Sequence, residues 1–174
     1  MKMVNLILDG CDCVGKSSIA EELLLTGRFE FIIKRRNPKN MREGRKEYIN
    51  DVNILNTRDR LIFDRGMLGE CVYAPIKRGY YPEYMRELES KLSDNTHLFL
   101  IYADLEIVKK RFDHEFIRED QLEKVIDMYF NEFEACNYKK KYGISTTKRT
   151  PKEASDLICD IIDNNDKYGI GDLL

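Results

Sequence analysis

Apolar positions along this chain recur at two different spacings. Short, largely apolar runs, Met3 to Leu8 and His97 to Tyr102, are bounded by polar or turn residues and read as strands, the second of them buried. Longer segments between them carry apolar residues three and four apart. Lys16 to about Thr26 places Ile19, Leu23 and Leu24 on one helical face and meets a stop at Gly27. The clearest helical stripe is Leu122, Val125, Ile126, Tyr129, Phe130 and Phe133, the signature of a core-facing helix. Weaker versions of the two patterns predict strands at Phe29 to Ile33, Arg60 to Phe63 and Gly143 to Thr147. They also predict helices through Met41, Tyr48, Val52 and Leu55, over Pro82 to Leu92, and over Glu106 to Phe112. Thr150-Pro151-Lys152-Glu153 reads as a capping box with Pro at the first helical position, opening a last helix that runs to Ile162. Strands alternating with helices predict an α/β fold, with a parallel sheet of about five strands flanked by helices in three layers.

Composition narrows the class. The 174 residues carry 29 Lys plus Arg against 31 Asp plus Glu, a formal net charge of −2, which points away from a broad polyanion-binding surface and toward local charge clusters. One such cluster stands out, the segment from 34 to 60, with nine Lys or Arg against four acids. A single domain over 1–174 is expected. No run is long and apolar enough for a membrane span, and Met1 to Asp9 does not fit a signal peptide, so the expected location is the cytoplasm. Five cysteines without a Cys-x-x-Cys pair, and two distant histidines, argue against zinc and for reduced thiols.

The chemistry concentrates in Gly10-Cys11-Asp12-Cys13-Val14-Gly15-Lys16-Ser17, a complete G-x-x-x-x-G-K-[ST] between the first strand and the first helix. Glycines allow the tight turn that aims backbone N–H groups at phosphate oxygens, a lysine reaches the β- and γ-phosphates, and a hydroxyl ligates Mg²⁺. Gly10, Cys13, Val14, Gly15, Lys16, Ser17 and Ser18 are therefore the candidate nucleotide-binding residues, with ATP and Mg²⁺ the expected donor and cofactor. No Asn-Lys-x-Asp motif occurs, which disfavours a guanine-reading switch and leaves a small-molecule kinase. A second constellation, Asp64-Arg65, closes the third strand, and ligands of open α/β sheets bind at such carboxyl ends.

Together with Asp9 before the loop, Asp12 within it, and Gly69-Glu70-Cys71-Val72-Tyr73 further on, these motifs resemble the thymidylate kinase and deoxynucleoside kinase families of P-loop kinases. The resemblance implies that Asp12 holds the acceptor sugar, Arg65 the acceptor phosphate, and Tyr73 the sugar or base. It also implies that Asp64 organises Mg²⁺ or water, with Ser17 the other candidate metal ligand. The acceptor region would span about 34–95 and a lid about 111–121, with Arg111 preferred over Arg118 as the arginine that stabilises the transferred phosphoryl group. Thr147-Lys148-Arg149-Thr150 resembles the segment set against the donor adenine, and a homodimer is a family expectation.

Two acceptor classes compete. A nucleoside hydroxyl needs a carboxylate base, for which Asp64 or Glu70 would serve, whereas a monophosphate attacks with an oxygen already anionic. The second strand ends in Lys34-Arg35-Arg36-Asn37-Pro38, where nucleoside kinases usually place a Glu. This favours a nucleoside monophosphate, dTMP first, with Arg35 and Arg65 neutralising its phosphate. A nucleotide-binding protein without catalysis is the alternative of another class. Two departures are plain: no acid follows the second strand, and Gly66 stands where those kinases often have Tyr. Cys11 and Cys13 sit beside Lys16 in the loop, where a lowered thiol pKa would make activity sensitive to oxidation and inert packing would not.

Overall fold

The computed structural model describes residues 3–35, 37–112 and 117–164. Five strands, β1 (Asn5–Asp9), β2 (Phe31–Lys34), β3 (Leu61–Asp64), β4 (Thr96–Tyr102) and β5 (Lys141–Ser145), form one sheet. All neighbours are parallel, in the order β2-β3-β1-β4-β5. The predicted α/β sheet is therefore present. Apolar sequence explains the centre: every residue of β1 and β3 is buried, and so is all of β4 except Tyr102, because helices cover both faces of a parallel sheet. β2 is an edge strand, and its Phe31 lies exposed.

The helices are α1 (Lys16–Leu25), α2 (Met41–Thr57), α3 (Met67–Arg78), α4 (Met85–Glu89), α5 (Leu105–Arg111), α6 (Leu122–Ala135) and α7 (Pro151–Asp163). α1 packs on α7, and α3 on α6. In α6 the stripe is realised: Leu122, Val125, Tyr129 and Phe133 are buried, with Ile126 and Phe130 packed at the margin. α7 opens on the predicted box, Thr150 Oγ1 accepting from the Glu153 N–H and Glu153 Oε2 from the Thr150 N–H. The basic segment becomes α2, capped by Asn40, whose side chain accepts from the Glu43 N–H at 3.0 Å. Tyr48, Val52 and Leu55 face inward as expected, but Met41 is exposed in the first turn.

Three expectations need correction. The sequence pattern predicts no helix over α3, yet Met67–Arg78 is helical and continues through Pro75 to Gly79, whose φ of 71° ends it. Residues 67–74 are buried without exception, so no polar face alternates with the apolar one. The helix predicted over Pro82 to Leu92 is confined to Met85–Glu89, and beyond it Lys91 and Leu92 close tighter turns on Leu88 and Glu89. β5 runs Lys141–Ser145, two residues earlier than predicted, which frees Thr146 and Thr147 to turn back over the sheet. No helix among the described residues is long and apolar enough to cross a membrane.

Candidate active site

The site lies at the carboxyl ends of β1, β3 and β4, where the strand order departs from β1 in two directions. The loop after β1 turns at Gly10, φ 142°. A Cβ there would stand 2.1 Å from the carbonyl oxygen of Ile101 in β4, so the loop can lie against the sheet only with glycine. Gly15, φ 94°, precedes α1, whose first turn carries no acidic side chain to compete for its unpaired N–H groups. Lys16 is buried, and its Nζ donates to the carbonyls of Gly10 at 2.9 Å and Cys11 at 2.6 Å. Burial pulls its pKa down, opposed by Asp12 and reinforced by Arg65.

Ser17 Oγ donates to Asp64 Oδ2 at 2.6 Å. The other Asp64 oxygen is buried and accepts no hydrogen bond from any described residue. A hydroxyl and a carboxylate with an unused buried oxygen form an oxygen donor set of the kind Mg²⁺ takes, so the residues fit the ion that the loop motif implies.

Asp12, Arg65 and Tyr73 meet. Arg65 Nη2 donates to Asp12 Oδ1 at 2.9 Å and Tyr73 Oη donates to Asp12 Oδ2 at 2.9 Å, so both oxygens of the carboxylate are engaged. Burial and the Asp12 charge push the Tyr73 hydroxyl far above its ordinary pKa and keep it a donor. Arg65 itself adopts φ 80°, a left-handed conformation that a non-glycine residue holds only when its surroundings impose it. Its N–H is tied to Leu8 of β1 at 3.0 Å. Glu70 lies one turn into α3, with Oε2 accepting from Arg78 Nη2 at 2.5 Å and Oε1 from Tyr80 Oη at 2.8 Å. Arg35 does not join Arg65. It pairs with the buried Asp51 of α2 and its guanidinium stands 5.6 Å over the Phe63 ring. Arg36 and 113–116 of the expected lid lie outside the described residues.

On the outer side of the loop a cavity of about 300 Å³ is lined by Cys13, Val14, Gly15, Arg111, Thr146 and Arg149, among others. Arg111 reaches it with its guanidinium near Thr146, 3.3 Å from the carbonyl oxygen, whereas Arg118 pairs with Asp120 on the surface. Thr146 clasps the loop, its hydroxyl donating to the Val14 carbonyl at 2.9 Å and its N–H to Tyr102 at 2.7 Å. Nothing in the sequence singles out Thr146, since its role depends on where β5 ends.

Asp9 is the other residue with a larger part than its sequence suggests. It is fully buried, with Oδ1 accepting from the Gly10 N–H at 3.2 Å and Oδ2 from the N–H groups of Gly66 at 3.1 Å and Gly69 at 3.2 Å. A Cβ on Gly66 would fall 2.3 Å from Ile7 Cγ2, and one on Gly69 3.2 Å from Asp9 Oδ1. The departure from Tyr at 66 thus follows from how closely α3 approaches β1. Burial pushes the Asp9 carboxyl up to about 6, against the pull of Lys16 and its backbone donors. The folded state therefore binds this proton more tightly than the unfolded chain, whose carboxyl titrates near 3.8. The stabilisation is full below that value and lost as pH rises through about 6, about 3 kcal/mol in all. Urea unfolding of wild type and Asp9→Asn between pH 4 and 8 should show wild type losing stability relative to the variant as pH rises; parallel profiles would refute it.

At Cys11 the structure favours inert packing over a lowered pKa. Cys11 is buried and its thiol is pushed up to about 12 by desolvation, outweighing Lys16, so it is no thiolate at neutral pH.

No family model matches the sequence. The chain is 26% identical over 133 residues to the SPbeta prophage-derived uncharacterized protein YorR of Bacillus subtilis strain 168, covering 73% of this chain and 80% of that protein. The crystal structure of YorR in complex with phosphorylated GDP matches with a TM-score of 0.79 at 22% identity, over 96% of this chain and 100% of that one. Deoxyadenosine kinase from M. mycoides with bound dATP matches with a TM-score of 0.66 at 15% identity, over 92% and 100% of the two chains. Thymidylate kinase from Candida albicans gives 0.64 at 15% identity, over 99% and 96%. The fold is that of the P-loop kinases. Within that P-loop kinase fold, Lys16, Ser17, Asp64 and Arg65 stand together at the loop, and Arg111 at its outer rim.

Proposed function

We propose that this chain transfers the γ-phosphoryl group of MgATP to a deoxynucleoside monophosphate, with dTMP the first acceptor to test. The observation that carries the choice of acceptor is the state of the carboxylates. A nucleoside hydroxyl would need one of them as base, but Asp64 is held by Ser17 at one oxygen and would give the other to Mg²⁺, Glu70 is held by Arg78 and Tyr80, and Asp12 by Arg65 and Tyr73. A monophosphate oxygen is already anionic and needs only positioning and charge neutralisation. The nucleotides in the structures of YorR and deoxyadenosine kinase support a nucleotide site, and the kinase fold supports phosphoryl transfer.

In this reading the loop N–H groups and Lys16 hold the donor phosphates. Ser17 and Asp64 would hold Mg²⁺, which supplies charge neutralisation and phosphate orientation when bound. Arg65, aimed by Asp12, receives the acceptor phosphate, and Arg111 approaches from the outer rim to stabilise charge on the group in transfer. Tyr73 fixes Asp12 and closes the acceptor side against water.

An ADP-release assay over nucleosides and their monophosphates tests the acceptor. Turnover is expected with a monophosphate and not with the parent nucleoside, and Arg65→Ala should raise the acceptor KM on the order of tenfold or more through loss of a charged hydrogen-bond partner. Faster turnover of the nucleoside, abolished by Glu70→Gln, would establish the deoxynucleoside kinase alternative. ATP binding with no acceptor-stimulated turnover would establish a non-catalytic nucleotide-binding protein.

A further inference from the structure

The cavity on the outer side of the loop continues past Arg149 into an open groove of about 490 Å³ that ends at Asp104. Its floor is the turn after β5, with the hydroxyls of Ser145 and Thr147 and the cations Lys148 and Arg149. The two walls are joined. The Asp104 N–H donates to Thr147 Oγ1 at 2.9 Å, Arg149 Nη1 donates to the Ser145 carbonyl at 3.0 Å, and Thr146 fixes the turn to Val14. Asp104 precedes α5, the position at which an Asp usually spends its carboxylate on the helix N–H groups. Here the side chain makes no capping hydrogen bond, and it lines the groove instead.

A triphosphate lying along the loop with its γ end at Lys16 and Ser17 has its nucleoside end on this side. The other side is filled by the Asp12, Arg65 and Tyr73 cluster. The base thus enters a groove bearing one carboxylate beside hydroxyl and cationic donors. Guanine presents two adjacent donors, N1–H and N2–H, next to the O6 acceptor. A carboxylate can take the two N–H groups together, and the donors of the β5 turn can meet O6. Adenine offers one donor at N6 beside the lone pair of N1, which a carboxylate repels.

We propose that the donor site accepts GTP, selecting the guanine base through Asp104, and that ATP binds there without this contact. The inference rests on the reading of the loop and its outer cavity as the donor site. It is tested on the full chain by calorimetric binding of GDP and ADP with Mg²⁺, for wild type, Asp104→Ala and Asp104→Asn. Wild type should bind GDP at least as tightly as ADP. Asp104→Ala should lower the ratio of GDP to ADP affinity on the order of tenfold, the discrimination of one bidentate base contact, and Asp104→Asn should lower it less. ADP bound more tightly than GDP by wild type, or a ratio unmoved by Asp104→Ala, overturns the proposal. If GDP shows the expected ratio but neither GTP nor ATP supports transfer to any monophosphate, base selection stands and the kinase reading fails. If a folded chain binds neither diphosphate, both fail. Asp104 is exposed, so thermal melts of the variants should match wild type and separate a folding defect from a binding one.

Discussion

Lys16→Met is expected to reduce kcat by at least about a thousandfold while the chain remains folded. The Lys16 side chain is buried within the loop and is drawn over the carbonyls of Gly10 and Cys11, so its ammonium is already positioned within the phosphate-binding turn. A preorganised cation aimed at charge that develops in the transition state is worth about 4 kcal/mol or more in a site shielded from water. Stability moves little because two effects oppose each other. Met forfeits the two hydrogen bonds, but it also removes a buried charge whose desolvation already pulls the pKa down. An ADP-release assay at saturating acceptor, paired with a thermal melt, separates the two. A folded variant with turnover within tenfold of wild type would remove Lys16 from the mechanism.

The loop was readable from sequence because its chemistry demands residue types that little else demands. Gly10 and Gly15 occupy backbone conformations at positive φ, Lys16 carries the charge, and an apolar strand and a helix flank them. The central strands are legible because burial on both faces leaves a short, largely apolar run. The same total burial hid α3, whose residues 67–74 show no polar face, and with it the route by which Glu70 finds Arg78 two turns later. Pairings across elements were not readable at all. Arg35 reads as an acceptor ligand by its place at the end of β2, but its guanidinium meets Asp51 of α2, a pairing the sequence does not announce. Asp12, Arg65 and Tyr73 each stand out by family resemblance, while their hydrogen-bonded contact depends on how α3 leaves β3.

Asn5→Ala should cost about 4 kcal/mol of stability, more than other polar truncations in the sheet. Asn5 opens β1 and is entirely buried. Its Nδ2 donates to the carbonyls of Leu55 at 2.9 Å and Arg58 at 2.6 Å, and its Oδ1 accepts from the Leu61 N–H at 3.0 Å. One side chain thus satisfies the end of α2, the connection after it and the first residue of β3. Alanine would leave the Leu55 and Leu61 groups buried without their partner and the Arg58 carbonyl part-buried, at about 1–3 kcal/mol for each that water cannot reach. Asn5→Asp keeps the acceptor for Leu61 but sets a carboxylate against two carbonyl oxygens, so it should be at least as damaging. Asn56 provides the contrast. It also bonds two backbone groups, the Lys91 carbonyl and the Ser93 N–H, but at an exposed position, so Asn56→Ala should cost about 1 kcal/mol. Urea midpoints at constant m-value measure all three, and equal losses for Asn5→Ala and Asn56→Ala would show that burial is not what makes Asn5 costly. Because Asn5 fixes where β3 begins, it also sets the height at which Asp64 and Arg65 emerge beside the loop. Asn5→Ala should therefore lower kcat even at temperatures where the variant is fully folded.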